Sequence, residues 1–173
     1  MRPPGPGVLW ITGLSGAGKS TVAGILRDRL AAGGVLPVLL DGDRLRATLP
    51  VRPGHREEDR RRLARYYGAL AGELAAQGHL VICATVSLFH EAHARNRRRL
   101  PGYYEVLLRV PLDDLRQRRD RASLYGAPDT RDVVGLGTPA EFPLAPDLVV
   151  DNCGDTTAED AAEAILRGWA GRG

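Results

Sequence analysis

The chain has 173 residues, enough for one domain with a substantial core and too few for a second of ordinary size. Its 24 basic and 21 acidic residues leave a formal charge of +3, mixed along the chain, which does not single out a nucleic acid as partner. Cys83 and Cys153 lie far apart and make no disulfide framework, and no apolar run approaches the roughly 20 residues that cross a bilayer. With no signal-peptide core in the Pro/Gly-rich start, a cytoplasmic protein spanning 1–173 as a single domain is expected.

In chain order, an apolar strand is expected at Val8–Thr12, then a Gly-rich turn and a helix over Lys19–Ala32 that stops at Gly33-Gly34. A strand at Val38–Asp41 precedes a helix over Glu57–Gln77 ended by Gly78. A third strand at Leu80–Ala84 and a helix over Glu91–Arg99 lead to a turn at Pro101-Gly102. Strand Glu105–Val110 and helix Leu112–Arg121 follow, and strand Leu148–Val150 and helix Thr157–Ala170 close the chain. Short apolar runs alternating with helical periods imply repeated βαβ units, hence a parallel five-stranded sheet covered by helices on both faces. Ala122–Pro146 breaks the rhythm with three glycines and four prolines, and a loop of that length reads as a lid.

Residues Gly13 to Thr21 read GLSGAGKST and satisfy G-x-x-x-x-G-K-[ST] between a strand and a helix, the setting a phosphate-binding loop requires. Gly13, Ser15, Gly16, Ala17, Gly18, Ser20 and Thr21 are therefore candidates to hold ATP through backbone amides. Lys19, the only lysine in the chain, is a candidate to neutralise the β/γ oxygens, with the Ser20 hydroxyl on Mg²⁺. A single lysine also excludes the N-K-x-D element of guanine-reading GTPases. The strand Leu80–Ala84 ends in Ala84-Thr85 rather than in the paired acids of motor ATPases.

Acids occur instead after the second strand, in Leu40-Asp41-Gly42-Asp43, with Arg44 and Arg46 behind them. Carboxyl ends of adjacent strands line the ligand crevice of such a sheet, so one carboxylate is expected to anchor Mg²⁺ while the other accepts a proton from an acceptor hydroxyl. Arg46 is placed to pair with an anionic acceptor. The same Asp-Gly dipeptide is also an ordinary turn signal.

These residues resemble the adenylylsulfate (APS) kinases, which phosphorylate the 3′-hydroxyl of adenosine 5′-phosphosulfate. The resemblance rests on GLSGAGKST, LDGD with Arg46, Glu58-Asp59-Arg60, ATVSLF at Ala84–Phe89, Val110-Pro111-Leu112, Arg119-Asp120 with Leu124-Tyr125, and GLGTPAEFP at Gly135–Pro143. It implies an α/β P-loop NTPase fold of the nucleoside-monophosphate-kinase kind, doubly wound, with a lid at about 122–146. It further implies Asp43 as catalytic base, Asp41 as Mg²⁺ or water anchor and Arg119 on the nucleotide side. On the acceptor side it implies Arg46, Arg60, Val86 and Ser87, and a homodimer is the partner state that relatives suggest. Ser87 also matches a serine that carries a phosphate in some members.

Departures fall on the acceptor side: His55 and Val133 stand where the family places two phenylalanines, Leu63 replaces an asparagine and Ala122 a lysine. Two readings of the acceptor stay open, APS or another nucleotide-like or specialised metabolite, and a third reading is an ATP-sensing module without transfer. Asp43 argues against the third, since a sensor needs no base beside the γ-phosphate. His55, His79, His90 and His93 form no metal-ligand spacing with the cysteines, and His90 and His93 are expected on an exposed helix face. Tyr66 and Tyr67 are expected in the core, with an acceptor contact as the lesser alternative. The arginine clusters lack the aromatic interleaving of a nucleic-acid surface.

Overall fold

The computed structural model describes residues 5–51, 54, 56–121 and 139–170, with backbone alone at 119–121. Five strands, β1 (Gly7–Thr12), β2 (Val38–Asp41), β3 (Leu80–Ala84), β4 (Tyr104–Arg109) and β5 (Leu148–Asp151), pair in parallel in the order β2-β3-β1-β4-β5. Helices α1 (Lys19–Ala32), α2 (Gly42–Thr48), α3 (Glu57–Ala76), α4 (His90–Arg99), α5 (Leu112–Arg121) and α6 (Ala158–Ala170) connect and cover them. The sheet is parallel and covered on both faces, as the alternating pattern predicts, and its order is the doubly wound P-loop NTPase arrangement that the resemblance implies.

Alternation along β1 assigns its side chains to two layers. Leu9 and Ile11 face α1 and α6 with Leu26, Val106, Ile165 and Trp169; Val8 and Trp10 face α3 with Val81, Cys83, Tyr67 and Ala71. Because both faces are covered, β1 and β3 are buried along their whole length, which is why they read as unbroken apolar runs. Tyr104 stacks on Trp169 at 6.5 Å between ring centroids, fastening β4 to α6.

Register decides which loops meet. Ile11 pairs with Ala84, and Ala84 with Asp41, so the ends of β1, β3 and β2 stand in one row at the carboxyl edge. The loops leaving those three strands therefore open on one side of the sheet.

Two expectations are corrected. The chain after Asp41 is not a plain turn: it forms α2, because the Asp41 carboxylate caps the helix by accepting the amides of Asp43 and Arg44, both at 3.1 Å. His93 is not on an exposed face but is buried, its Nδ1 2.7 Å from Glu105 Oε1. Glu105, itself 2% exposed, also accepts from the Tyr103 hydroxyl at 2.7 Å and from Arg97 at 3.3 Å. A buried carboxylate surrounded by donors in this way satisfies the requirement that buried charge be paired. His90, by contrast, is exposed as expected.

Candidate active site

The phosphate loop between β1 and α1 takes its shape from glycine. Gly16 and Gly18 lie at φ 85° and 90°, the left-handed region, and a Cβ on Gly18 would stand 2.6 Å from Asn152 Nδ2. Gly18 is the N-cap of α1 and has no side chain to offer, so the first amides of the helix are left for another acceptor. Lys19 is 8% exposed and its ammonium donates to the Leu14 carbonyl at 2.8 Å. Burial lowers its pKa from 10.5 to about 8, against the opposing pull of the Asp43 and Asp41 carboxylates.

The loop is braced from behind. Asn152, just past β5, donates its amide to Ala17 O at 2.8 Å. Arg118 on α5 donates to Asn152 O at 2.6 Å and to Gly16 O at 3.4 Å. The sequence does not single out Asn152, because its contact joins residues 135 positions apart and no short motif encodes it. Arg118 is one of three arginines, with Arg119 and Arg121, that border the expected lid and are candidates to meet phosphoryl charge.

Beside the loop, the Ser20 hydroxyl touches the second oxygen of Asp41, which is 7% exposed. Among the described residues no group of three or more His, Cys, Asp or Glu gathers to hold a metal by itself. A hydroxyl and one carboxylate are the hard oxygen donors with which Mg²⁺ is held when substrate phosphates and water complete its shell. The two residues present therefore fit that ion.

A cavity of about 200 Å³ opens between this loop and the tips of β2 and β3. It brings together Ser15, Asp43, Arg46, Arg60, Val86 and Ser87, residues spread over four segments of the sequence. Leu63 and Tyr67 from α3, and Leu88 and Phe89 from the loop after β3, complete the wall. Tyr67 is buried, as expected, and also lines the cavity, its hydroxyl donating to Gly42 O at 3.1 Å; Tyr66, expected in the core, is exposed.

The β3 loop is held in a defined shape. Thr12 at the end of β1 donates to Val86 O at 2.6 Å, and Thr85 donates to the Ser87 hydroxyl at 2.9 Å. Ser87 has φ 28°, the one positive value outside glycine among the described residues. Such backbone strain concentrates where surroundings over-determine a conformation, typically at ligand sites. Thr21 follows Ser20 on the exposed side of α1, and Gly13 packs so closely against Leu108 that a Cβ would lie 2.5 Å from its carbonyl oxygen. The Arg119 side chain, and His55, Ala122 and Val133, lie outside what the structure describes, as do residues 122–138 of the lid expected at about 122–146.

Comparison with known proteins agrees with this geometry. The sequence profile of the family described as adenylylsulphate kinase matches residues 5–151. An adenylyl-sulfate kinase of Vibrio cholerae is 38% identical over 172 residues, 96% of this chain and 79% of that protein. A cytidine diphosphoramidate kinase of Campylobacter jejuni is 34% identical over 94% of this chain and 95% of its own. The chain spans only 25% of the bifunctional enzyme NodQ of Azospirillum brasilense, to which it is 39% identical. Among solved structures, the Mycobacterium tuberculosis APS kinase CysC in complex with AMPPNP and APS superposes with a TM-score of 0.82 at 31% identity, covering 97% of this chain and 99% of that one. A braced phosphate loop, an acid at the neighbouring strand tip and a sequence profile matched over residues 5–151 lead to one assignment: the chain belongs to the adenylylsulphate kinase family.

Proposed function

We propose that this chain transfers the γ-phosphate of ATP to a hydroxyl group of a small anionic acceptor, and that the acceptor is adenylylsulfate. The observation that carries the reading is a shared cavity: Ser15 of the phosphate loop and Asp43 of the β2 tip open onto the same space as Arg46 and Arg60. A donor phosphate at the loop and an anion on the two guanidinium groups would meet at Asp43.

Each residue then has a task. Loop amides from Gly13 to Gly18 and the start of α1 hold the triphosphate, and Lys19 leaves Leu14 O to neutralise the β/γ oxygens. Ser20 and Asp41 would hold Mg²⁺, which when bound offsets the charge developing on the phosphoryl oxygens. Asp43 takes the proton of the acceptor hydroxyl as that oxygen attacks the γ-phosphorus, and ADP leaves in line. Arg46 and Arg60 orient the acceptor, while Val86 and Ser87 shape its floor. Arg119 is assigned to the nucleotide side, and the chain 1–173 is taken as one kinase unit, acting in the cytoplasm; among the described residues no helix is long and apolar enough to cross a membrane.

Leu63 favours a second reading. It lines the cavity at 7% exposure where the APS kinases place an asparagine, so the wall there offers no hydrogen bond. A relative of comparable identity is a cytidine diphosphoramidate kinase, which makes another nucleotide-like acceptor the alternative.

The test is an ADP-release assay with purified protein, Mg²⁺ and ATP, run against APS and a set of cytidine and adenosine nucleotides. Turnover with APS at least about tenfold above every other acceptor in kcat/KM supports the first reading. Preference for a cytidine nucleotide transfers the assignment to the second, and ADP release independent of any acceptor removes both.

A further inference from the structure

Glu141 sits outside the cavity yet touches both of its walls. Its Oε1 accepts from Arg61 Nη2 at 3.0 Å, on α3, beside Arg60 and two residues before Leu63. Its Oε2 accepts the His90 amide at 2.7 Å, at the start of α4, and its own amide donates to Leu88 O at 3.2 Å. Arg61 in turn lies 4.5 Å above the Phe89 ring, which is 4% exposed and lines the cavity with Leu88. The carboxylate, the guanidinium and the ring form one stack that ties α3 to the loop after β3.

From this geometry we infer that Glu141 is a positioning residue for the acceptor: it fixes the separation between the wall bearing Arg60 and Leu63 and the wall bearing Val86 to Phe89. The inference rests on the reading of that cavity as the acceptor site. A carboxylate suits the task because it accepts from two donors at once with charge assistance, one from each wall. The His90 amide and the Arg61 guanidinium hold the Glu141 carboxyl below its usual pKa, so the bracket is charged at neutral pH. Arg61 also pairs with Glu57 one turn earlier, at 2.8 Å, which keeps the guanidinium on its own helix when Glu141 is absent. Loss of Glu141 therefore frees the β3 loop rather than Arg61.

The effect belongs to acceptor binding, because among the described residues the hydrogen bonds of Glu141 go to Arg61, His90 and Leu88 and none to the phosphate loop. Steady-state kinetics with both substrates varied should show Glu141→Ala raising the acceptor KM by about tenfold with the ATP KM changed by less than about twofold. Glu141→Gln, which keeps an acceptor for the His90 amide, should rescue part of the loss. Arg61→Met should reproduce the acceptor KM effect, and the double variant should add little to either single change. Equal rises in both KM values, or none, would overturn the inference.

Hydrogen exchange in the same proteins separates this inference from the functional reading on which it rests. Glu141→Ala should speed exchange at His90 by about tenfold and leave the amides of α1 unchanged. If the wild-type protein shows no turnover with APS while the His90 amide responds as stated, the acceptor assignment fails and the bracket stands. If the His90 amide does not respond, the bracket is refuted whatever the acceptor.

Discussion

The Asn152 side-chain amide donates to the Ala17 carbonyl oxygen at 2.8 Å and joins the loop after β5 to the centre of the phosphate loop. Both partners are buried, Asn152 at 5% exposure and Ala17 at 0%. Asn152→Ala leaves that carbonyl without its donor, and an unsatisfied buried acceptor costs about 1–3 kcal/mol. Urea denaturation should register the loss, and the ATP KM should rise while the acceptor KM stays near its wild-type value. Gly18→Ala meets the same amide at 2.6 Å in a left-handed backbone and should abolish nucleotide binding in a titration with labelled ATP.

Lys19 makes nucleotide binding depend on pH. Burial sets its pKa at about 8 in the free protein, below the ordinary 10.5, and a bound triphosphate favours the charged form. Below the lowered pKa the ammonium is already present, so binding takes up no proton. Above it the free protein has lost the proton and must regain it, so affinity falls as pH rises. Calorimetry in two buffers of different ionisation enthalpy should show uptake approaching one proton per ATP at about pH 9 and little at about pH 7. Uptake that is equal at both values would contradict the assignment.

Asp43→Asn keeps the shape of the β2 tip, because the capping of α2 uses the Asp41 side chain and only the backbone amide of residue 43. A general base contributes typically about 10²–10⁴-fold, so turnover should drop by that range while the ATP dissociation constant moves little. Unchanged turnover would remove Asp43 from its role.

Glu105 provides the opposite pattern. It lies near the amino end of β4, away from the cavity at the carboxyl edge, and binds His93, Tyr103 and Arg97. Glu105→Ala removes the acceptor facing the buried His93 ring, and leaving a buried polar group without its partner costs about 1–3 kcal/mol. Thermal unfolding should therefore fall sharply, with kcat/KM of the folded fraction nearly unchanged.

The sheet was legible because both faces are covered: β2 and β3 appear at the limits their apolar runs indicate, and α1 and α5 likewise. The phosphate loop was legible because its glycines, lysine and hydroxyl are contiguous. Helix α2 was hidden behind Asp41-Gly42, where a turn signal and an N-cap signal coincide; only the side-chain capping of Asp43 and Arg44 distinguishes them. His93 was misread because Arg, Glu and Asn neighbours give α4 a polar composition, while its burial depends on Glu105, twelve residues on. In the second wall of the cavity, Leu63 and Phe89 were flagged only through the resemblance, since the wall itself exists only once α3 and the β3 loop are brought together.

The central claim is that Asp43 faces a triphosphate held by the loop across a cavity that admits an acceptor hydroxyl. Incubating the protein with γ-labelled ATP, Mg²⁺ and APS, and resolving the products, tests it most directly. The account predicts label on the acceptor in a one-to-one ratio with ADP, and transfer slowed by about 10²–10⁴-fold in Asp43→Asn although ATP still binds. Label appearing only as inorganic phosphate, at the same rate with and without acceptor, would contradict it.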